Sequence, residues 1–293
     1  KPQADEAFTV DGVALLKQHP VILFGDGGAF KSYLALYLAG RMAQNGVRVL
    51  YADWELSGEQ HFDRFDKLFP TNRPAMRYVR CDRPLVYEAD RLRRIVRERP
   101  IDYLICDSVA FACHGAPESA ESAGEYFRAL RQIGIGSLQV AHITKMEGGD
   151  QKPFGSVFWH NGARATYFVQ RVEADTPPVE IGLYPRKANL GERLRPFGYS
   201  IQFAATRTTL SRIDVRDVPE LAQKLSLSQR IAHAVRRGPQ LQSALAELLE
   251  AKEDTVRRVV ERQPQRFTRQ RSVDGVWRIA LLAPSDNNRW AGT

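Results

Sequence analysis

Cysteine is scarce in this sequence, and long apolar runs are missing altogether. The 293 residues include three cysteines, Cys81, Cys106 and Cys113, without CxxC or metal-ligand spacing. So few thiols argue against a disulfide framework or a zinc site and favour reduced side chains in a cytoplasmic protein. No stretch approaches the roughly 18 apolar residues of a membrane span, and residues 1–10 lack the apolar core of a signal peptide. We therefore expect a cytoplasmic protein without membrane contact.

The charge balance is basic. The formal net charge is +8 and the pI is about 9.5. This excess favours polyanionic partners, nucleic acid first, although an ordinary basic protein has the same property. Hydrophobic residues make up 43% of the chain, enough for a buried core and too many for a disordered polypeptide. The length suggests about two domains of roughly 150 residues.

Short apolar runs alternate with helical patterns over the first two thirds of the chain. Strands are predicted at residues 21–24, 47–53, 77–79, 103–107 and 138–143, and helices at 31–45, 58–69, 87–97 and 123–133. This alternation predicts an α/β fold, a parallel sheet flanked by helices on both faces. Later strands at 166–172, 180–185 and 199–203 predict an antiparallel extension at one edge. We place the first domain at 1–211, a linker at 212–225, a second domain at 226–283 and a tail at 284–293.

The segment between the first long strand and its helix has the composition of a phosphate-binding loop. It consists of Gly25, Asp26, Gly27, Gly28, Ala29, Phe30, Lys31 and Ser32. Glycines let backbone N–H groups converge on phosphate oxygens, and the helix N-terminus adds its positive dipole end. Lys31 is predicted to reach the outer phosphates of ATP, Ser32 to ligate Mg²⁺, and Tyr33 to border the nucleotide. Phe30 replaces the second glycine of GxxxxGK[ST], and a chance glycine-rich turn is the alternative interpretation.

Carboxylates end two later strands. Asp107 follows the apolar run 103–106 and is predicted to hold Mg²⁺, although an Asp capping the next helix is the alternative. Ser108 follows it instead of a Glu, so the general base must come from elsewhere. Glu55 ends the strand after the phosphate-loop helix. If that strand neighbours the first one, Glu55 lies near the γ-phosphate and can activate water, with Asp53 as fallback; a surface Glu opening a helix is the alternative.

These motifs, in this order, resemble the RecA/DnaB superfamily, and within it the RepA-type hexameric helicases of plasmids and phages. The resemblance covers about residues 12–203 and implies a RecA-like sheet in a homo-hexamer. It implies that His142 senses the γ-phosphate and that Lys187, in a KxNxG turn, reaches the neighbouring subunit's nucleotide. Some relatives also carry Phe before the phosphate-loop Lys. DnaB-type enzymes have an arginine finger two residues after the turn Lys, and this chain has Asn189 at that position. Arg186 and Arg193 lie nearby in the sequence, and proximity alone makes them candidates for the same role. His142 as a core-edge histidine and Lys187 as an exposed strand lysine are the alternatives.

A glycine-containing loop at 146–158, flanked by Lys145 and Lys152, is the candidate contact to single-stranded DNA. In RecA-like rings the corresponding loop faces the central channel, and a basic loop suits sequence-blind phosphate contact. Phe154, Phe158 or Trp159 would offer a stacking surface. A connector without a binding role is the alternative.

The C-terminal part predicts three helices, at 228–237, 241–250 and 254–263, followed by a hairpin at 267–282. This order resembles a winged helix-turn-helix domain. Residues 226–283 carry eleven Lys and Arg against six Asp and Glu, which favours duplex DNA contact. The predicted DNA-facing side chains are Arg257, Arg258 and Arg262 on the third helix and Arg269 and Arg271 on the hairpin. A winged helix that contacts proteins is the alternative.

Together these features predict a DNA-dependent ATPase motor of the replicative-helicase type with ATP and Mg²⁺ as cofactors. An ATP-gated DNA-binding regulator or loader is the second hypothesis, and strand displacement distinguishes the two. A small-molecule P-loop kinase is disfavoured because it would need an arginine-rich lid and would leave the C-terminal part without a role.

Overall fold

The computed structural model describes residues 7–143, 153–154, 157–173, 177–188, 195–272 and 275–282. The chain divides into two compact units, Lys1–Asp214 and Val215–Thr293. In the described part of the chain, no helix has both the length and the apolar character that crossing a membrane requires.

The first unit contains eleven strands and six helices among its described residues. The strands are β1 (Ala7–Val10), β2 (Val13–Leu16), β3 (Pro20–Gly25), β4 (Val49–Asp53), β5 (Arg77–Arg80), β6 (Tyr103–Asp107), β7 (Gly136–His142), β8 (Ala165–Arg171), β9 (Val179–Ala188), β10 (Phe197–Phe203) and β11 (Thr208–Ile213). The helices are α1 (Lys31–Gln44), α2 (Gly58–Leu68), α3 (Leu85–Glu98), α4 (Val109–Ala112), α5 (Ala120–Ile133) and α6 (Val157–Gly162).

Nine of these strands form one sheet in the order β11-β10-β9-β8-β3-β7-β6-β4-β5. The six strands from β8 to β5 are parallel to their neighbours, whereas β9, β10 and β11 continue the sheet antiparallel. The predicted parallel sheet with an antiparallel extension is thus confirmed. Because parallel strands place their carboxyl ends at one edge, the loops after β3, β4, β6 and β7 meet there.

The sheet and its first helix form because their apolar side chains match the required periods. All four residues from Val21 to Phe24 in β3 are fully buried, as expected of a central strand covered on both faces. In α1, Leu34, Leu38 and Met42 recur at helical spacing and are also fully buried. One apolar core of this unit therefore lies where α1 packs on the strands of the sheet, together with side chains from the hairpin β1–β2 and from α2.

Several elements of the first unit were not anticipated from the sequence. The hairpin β1–β2 precedes the sheet, β11 extends its antiparallel edge and the short helix α4 follows β6. Helix α6 begins in the last two residues of the region interpreted as a loop and continues beyond it. Arg212, assigned to the linker, is part of β11 and pairs with Tyr199 of β10.

The second unit contains a small sheet and four helices among its described residues. After a 3-10 turn at Val215–Asp217 come α7 (Pro219–Ala222), α8 (Leu227–Ala234), β12 (Gln240–Leu241), α9 (Gln242–Leu248), α10 (Glu253–Glu261), β13 (Phe267–Arg271) and β14 (Trp277–Leu281). The sheet order is β12-β14-β13. Ile231, Val256 and Phe267 belong to a separate apolar core. Leu248, the last residue of α9, is 68% exposed.

Candidate nucleotide-binding site

The phosphate loop joins the end of β3 to the start of α1. Gly25 lies so close to β8 that a Cβ there would stand 2.2 Å from the carbonyl oxygen of Val169, so only glycine fits. Asp26, Gly27 and Gly28 form the exposed tip of the loop, and the backbone N–H of Ala29 donates to the carbonyl of Asp26. The first N–H groups of α1 thus face an open loop, as a phosphate site requires.

Phe30 occupies the N-cap of α1 in the left-handed conformation, with φ of 58°. Glycine tolerates this conformation, whereas a residue with a Cβ is strained in it. The ring packs against Tyr33 and Phe203 at centroid distances of 6.0 and 5.5 Å, and the Arg171 guanidinium lies 5.2 Å above it. Aromatic packing therefore holds Phe30 in the left-handed conformation. The glycine that the GxxxxGK[ST] motif has at this position would adopt the same conformation without strain.

Lys31 lies inside the loop and is 5% exposed. Its ammonium donates to the carbonyl oxygen of Asp26 at 2.6 Å. Burial lowers the pKa of Lys31 to about 8, against the opposing attraction of Asp107, Glu55 and Asp26. The Lys31 ammonium is thus a poorly hydrated cation beneath the loop. A bound phosphate would provide the negative charge and the hydrogen-bond acceptors that water provides to an exposed lysine.

Asp107 is fully buried at the end of β6 and uses both carboxylate oxygens. Ser32 Oγ donates to Oδ1 at 3.1 Å, and the Tyr51 hydroxyl donates to Oδ2 at 2.6 Å. Burial raises the pKa of Asp107, while the hydrogen bonds from Tyr51 and Ser32 act in the opposite direction. The neighbouring Ser108 Oγ is buried without a hydrogen-bond partner in the described structure.

The oxygens of Ser32 and Asp107 fit a magnesium ion. Mg²⁺ takes oxygen ligands and typically uses one or two protein groups together with water and substrate phosphates. The described residues contain no cluster of three or more His, Cys, Asp or Glu side chains that could hold a metal by themselves. The donor set is therefore suited to a metal that arrives with a nucleotide.

The condition under which Glu55 was placed near the γ-phosphate, that β4 neighbours β3, is not met. β4 pairs with β6 and β5, and β7 and β6 separate it from β3. Asp53 consequently lies opposite Asp107 in the register. The exposed Glu55 nevertheless acts electrostatically on Lys31, Asp107 and His142, so it lies at the same edge. The parallel alignment of β4 with β6, β7 and β3, and not direct pairing of β4 with β3, brings it there.

His142 ends β7 directly opposite Gly25 of β3. Burial, and then the charge of Lys31, lower its pKa. A neutral imidazole beside the phosphate loop can donate one hydrogen bond without adding charge.

Lys187 lies on β9, at the start of the KxNxG sequence. Its ammonium donates to the carbonyl oxygens of His160 at 2.9 Å and Asn161 at 3.2 Å, at the end of α6. Burial and the nearby Arg164 lower its pKa. Within one chain, Lys187 therefore caps a helix. Arg186 lies over the Phe168 ring at 5.5 Å, and residues 189–194 of the turn, including Asn189 and Arg193, are outside the described residues.

The candidate single-strand loop is described only at its ends. Lys145 and Lys152 lie outside the described residues. Of the three aromatic residues offered as a stacking surface, Phe154 and Trp159 do not qualify, because they are 5% and 0% exposed and pack against each other. Phe158 is 51% exposed.

The candidate DNA-facing arginines of the second unit are largely paired with acids. Arg257 binds Asp254 and Glu261, and Arg258 binds Asp254 at 2.8 Å. Arg269 Nη1 lies 3.6 Å from Glu261 Oε1, and the Arg269 guanidinium carbon lies 3.8 Å from the centre of the Trp277 ring. Arg271 donates to the Gly275 carbonyl at 2.9 Å, and Arg262 is exposed. The local positive charge is therefore smaller than the residue count suggests.

Sequence reasoning missed the side chains that surround the two acids. Tyr51 looked like an ordinary apolar strand residue, and its bond to Asp107 follows only from the pairing of β4 with β6. His61, Tyr78 and Arg80 approach Asp53 from α2 and β5, and no spacing in the sequence indicates this.

Comparisons with known proteins bear on the fold of the first unit. A family model described as an AAA domain matches residues 10–148. One similar solved structure, titled "ATPase Domain of G40P", has a TM-score of 0.52 at 12% identity and covers 62% of this chain and 81% of that one. Another, of a DnaB-like replicative helicase and its interactions with primase, has a TM-score of 0.54 at 12% identity and covers 65% of this chain and 58% of that one. No curated protein matches the sequence.

The resemblance to P-loop ATPase domains of the RecA/DnaB superfamily is therefore confirmed at the level of the fold. The similar region does not extend over the whole DnaB-like helicase chain, of which 58% is covered.

Proposed function

We propose that this chain is an ATP-hydrolysing, DNA-dependent motor of the RepA-type helicase class that acts in DNA replication or recombination in the cytoplasm. The observation that carries the proposal is the convergence of Lys31, Ser32, Asp107 and Glu55 at the carboxyl edge of one parallel sheet. A cation, a metal-suited oxygen pair and an exposed carboxylate are the groups that phosphoryl transfer to water requires.

Each group has a distinct role in the proposed hydrolysis. The N–H groups of the loop and the Lys31 ammonium hold the phosphates and stabilise negative charge as it develops. Ser32 and Asp107 would hold Mg²⁺, which would neutralise part of the phosphate charge. Glu55 orients the attacking water and accepts its proton, and His142 donates to the terminal phosphate. Binding and positioning thus account for most of the chemistry.

DNA and assembly enter the proposal through the resemblance and the charge distribution. Six copies would place the nucleotide between subunits. Lys187 would then give up its hydrogen bonds to the carbonyls of His160 and Asn161 and bind the phosphates held by the neighbouring subunit. The loop with Lys145 and Lys152 would contact a single strand in the channel. The second unit would act as a winged helix on duplex DNA, where phosphates replace the acid partners of Arg257 and Arg258; such exposed pairs are worth only about 0–1 kcal/mol each.

The decisive assay is the ATPase rate with and without single-stranded DNA, on protein sized by light scattering. We expect stimulation by DNA, loss of activity in Lys31→Ala, and a drop of roughly 10²-fold or more in Glu55→Gln with near-normal nucleotide binding. Glu59→Gln is the matched control, because Glu59 is an exposed carboxylate in the first turn of α2. Normal turnover in Glu55→Gln would remove this residue from the base role.

The separate core of the second unit also suits an ATP-gated DNA-binding regulator or loader. Such a protein would bind duplex DNA and hydrolyse ATP without displacing a strand. A fluorescent strand-displacement assay with saturating ATP distinguishes the two functions, and a DNA-stimulated ATPase that never separates strands would favour the regulator.

A further inference from the structure

We propose that Asp53 is a positioning residue that holds the backbone of the Glu55 turn so that the Glu55 carboxylate faces the phosphate loop. The inference rests on the proposed role of Glu55 as general base. It excludes Asp53 as the fallback base, because both of its oxygens are already engaged within the fold.

One carboxylate oxygen of Asp53 accepts backbone N–H groups of the turn that follows β4. Its Oδ1 accepts the backbone N–H of Glu55 at 3.0 Å and that of Leu56 at 3.1 Å. An Asp that accepts the next N–H groups in this way closes a local turn at the end of a strand. The direction in which the chain leaves β4, and hence the origin of the Glu55 side chain, is set by this carboxylate.

Three side chains hold Asp53 itself. Tyr78 donates to Oδ2 at 2.9 Å, and Arg80 donates to Oδ2 at 3.2 Å. The buried His61 has Nε2 3.4 Å from Oδ1, the distance of an ion pair rather than a good hydrogen bond. Burial would raise the pKa of Asp53, but the contact with His61 and the two backbone N–H groups lower it overall, so the carboxylate is ionised and stays in place.

The remaining residues of the turn are anchored from other directions. The Trp54 N–H donates to the Asp107 carbonyl at 2.6 Å, and its indole N–H donates to the Arg83 carbonyl at 2.7 Å. Arg80 also donates to the Leu56 carbonyl at 2.6 Å. A capping box between Ser57 and Gln60 then starts α2.

Glu55 is the exception in this rigid segment. Its carboxylate is exposed and accepts no hydrogen bond from the described part of the chain. A fixed backbone with one free acidic side chain is the arrangement that presents a base to a bound water at low entropic cost. The anchors from Tyr78 and Arg80 also explain why edge strand β5 is needed beside β4.

The test is a double-mutant cycle between Asp53 and Glu55 in the full chain. Asp53→Ala should lower kcat by about 10- to 100-fold, the scale of a displaced reacting group, with the Kd for ATP changed by less than about twofold. In the Glu55→Gln background the same change should add less than about twofold, because residues that act through one another are not additive. Asp53→Asn keeps an oxygen for the two N–H groups and should retain more activity than Asp53→Ala.

A matched control separates positioning from general destabilisation. Asp102 accepts the backbone N–H of Arg48 at 2.9 Å and its guanidinium at 2.6 Å, next to the opposite end of β6. Asp102→Ala should lower the unfolding temperature and leave kcat within about twofold. If Asp53→Ala does not fold, Arg80→Ala removes an outer anchor and should show a smaller loss of kcat that again disappears in the Glu55→Gln background.

The outcomes are distinct. Unchanged kcat in folded Asp53→Ala, or a loss of equal size with and without Glu55, would overturn the positioning role while leaving the proposed function intact. Full turnover in Glu55→Gln alone would refute the base assignment on which both rest.

Discussion

Nucleotide affinity should fall steeply as the pH rises from 7 to 9.5, because Lys31 loses its charge over this range. Burial lowers the pKa of this side chain to about 8. Bound phosphates favour the charged form, so Lys31 stays protonated in the complex. The contribution of its charge to binding is therefore nearly complete at pH 7 and is lost as the pH rises through about 8.

The size of the effect follows from the fraction of charged Lys31 in the free protein. With a pKa of about 8, about nine tenths of the side chains are charged at pH 7 and about 3% at pH 9.5. The affinity should thus fall about 30-fold over this interval. A lysine with the ordinary pKa of 10.5 would lose only about 10% of its charge and leave the affinity almost unchanged.

The assay is titration of a fluorescent ADP or ATP analogue at constant free Mg²⁺ and ionic strength, in steps of half a pH unit. His142, whose pKa is lowered, stays neutral throughout, and the pKa of the Tyr51 hydroxyl is raised well above the range. Lys31→Ala should bind weakly with no pH dependence of this size. A constant affinity of the unmodified chain from pH 7 to 9.5, with its circular dichroism unchanged, would refute a buried, desolvated Lys31.

Three further predictions concern other parts of the chain. Phe30→Gly should be about 1 kcal/mol more stable to urea than Phe30→Ala, since both lose the ring but only alanine keeps the strain of the left-handed conformation; equal stabilities would contradict that strain. Lys187→Ala should lower ATPase only in the assembled state, and mixing it with Lys31→Ala subunits should restore some activity if the site is shared; activity proportional to the unmodified fraction alone would argue against sharing. Replacing Arg257 and Arg258 together by Ala should flatten the salt dependence of duplex binding by up to about two units of log K per log salt, and an unchanged slope would move the DNA contact elsewhere.

Much of the fold was accessible from periodicity and local motifs. The strand, glycine loop and apolar helix at residues 20–44 are contiguous, so their mutual positions follow from short-range geometry alone. The hairpin β1–β2 and strand β11 were missed because they are short or edge elements with mixed burial, which weakens the period that identifies a strand.

The sequence by itself determined the chemical inventory of this protein: a loop that can bind phosphate, a lysine within it, and carboxylates at the ends of two apolar strands. These depend on residues that are near one another along the chain. Only the tertiary structure decided which of these groups contact one another. It placed β4 beside β6 rather than β3 and engaged Tyr51 with Asp107. It also engaged the second oxygen of Asp53 with Tyr78 and Arg80, whereas the Glu55 carboxylate stays exposed. Strand order and register are set by packing between segments far apart in the chain, and no local pattern encodes which acid remains unpaired after that packing.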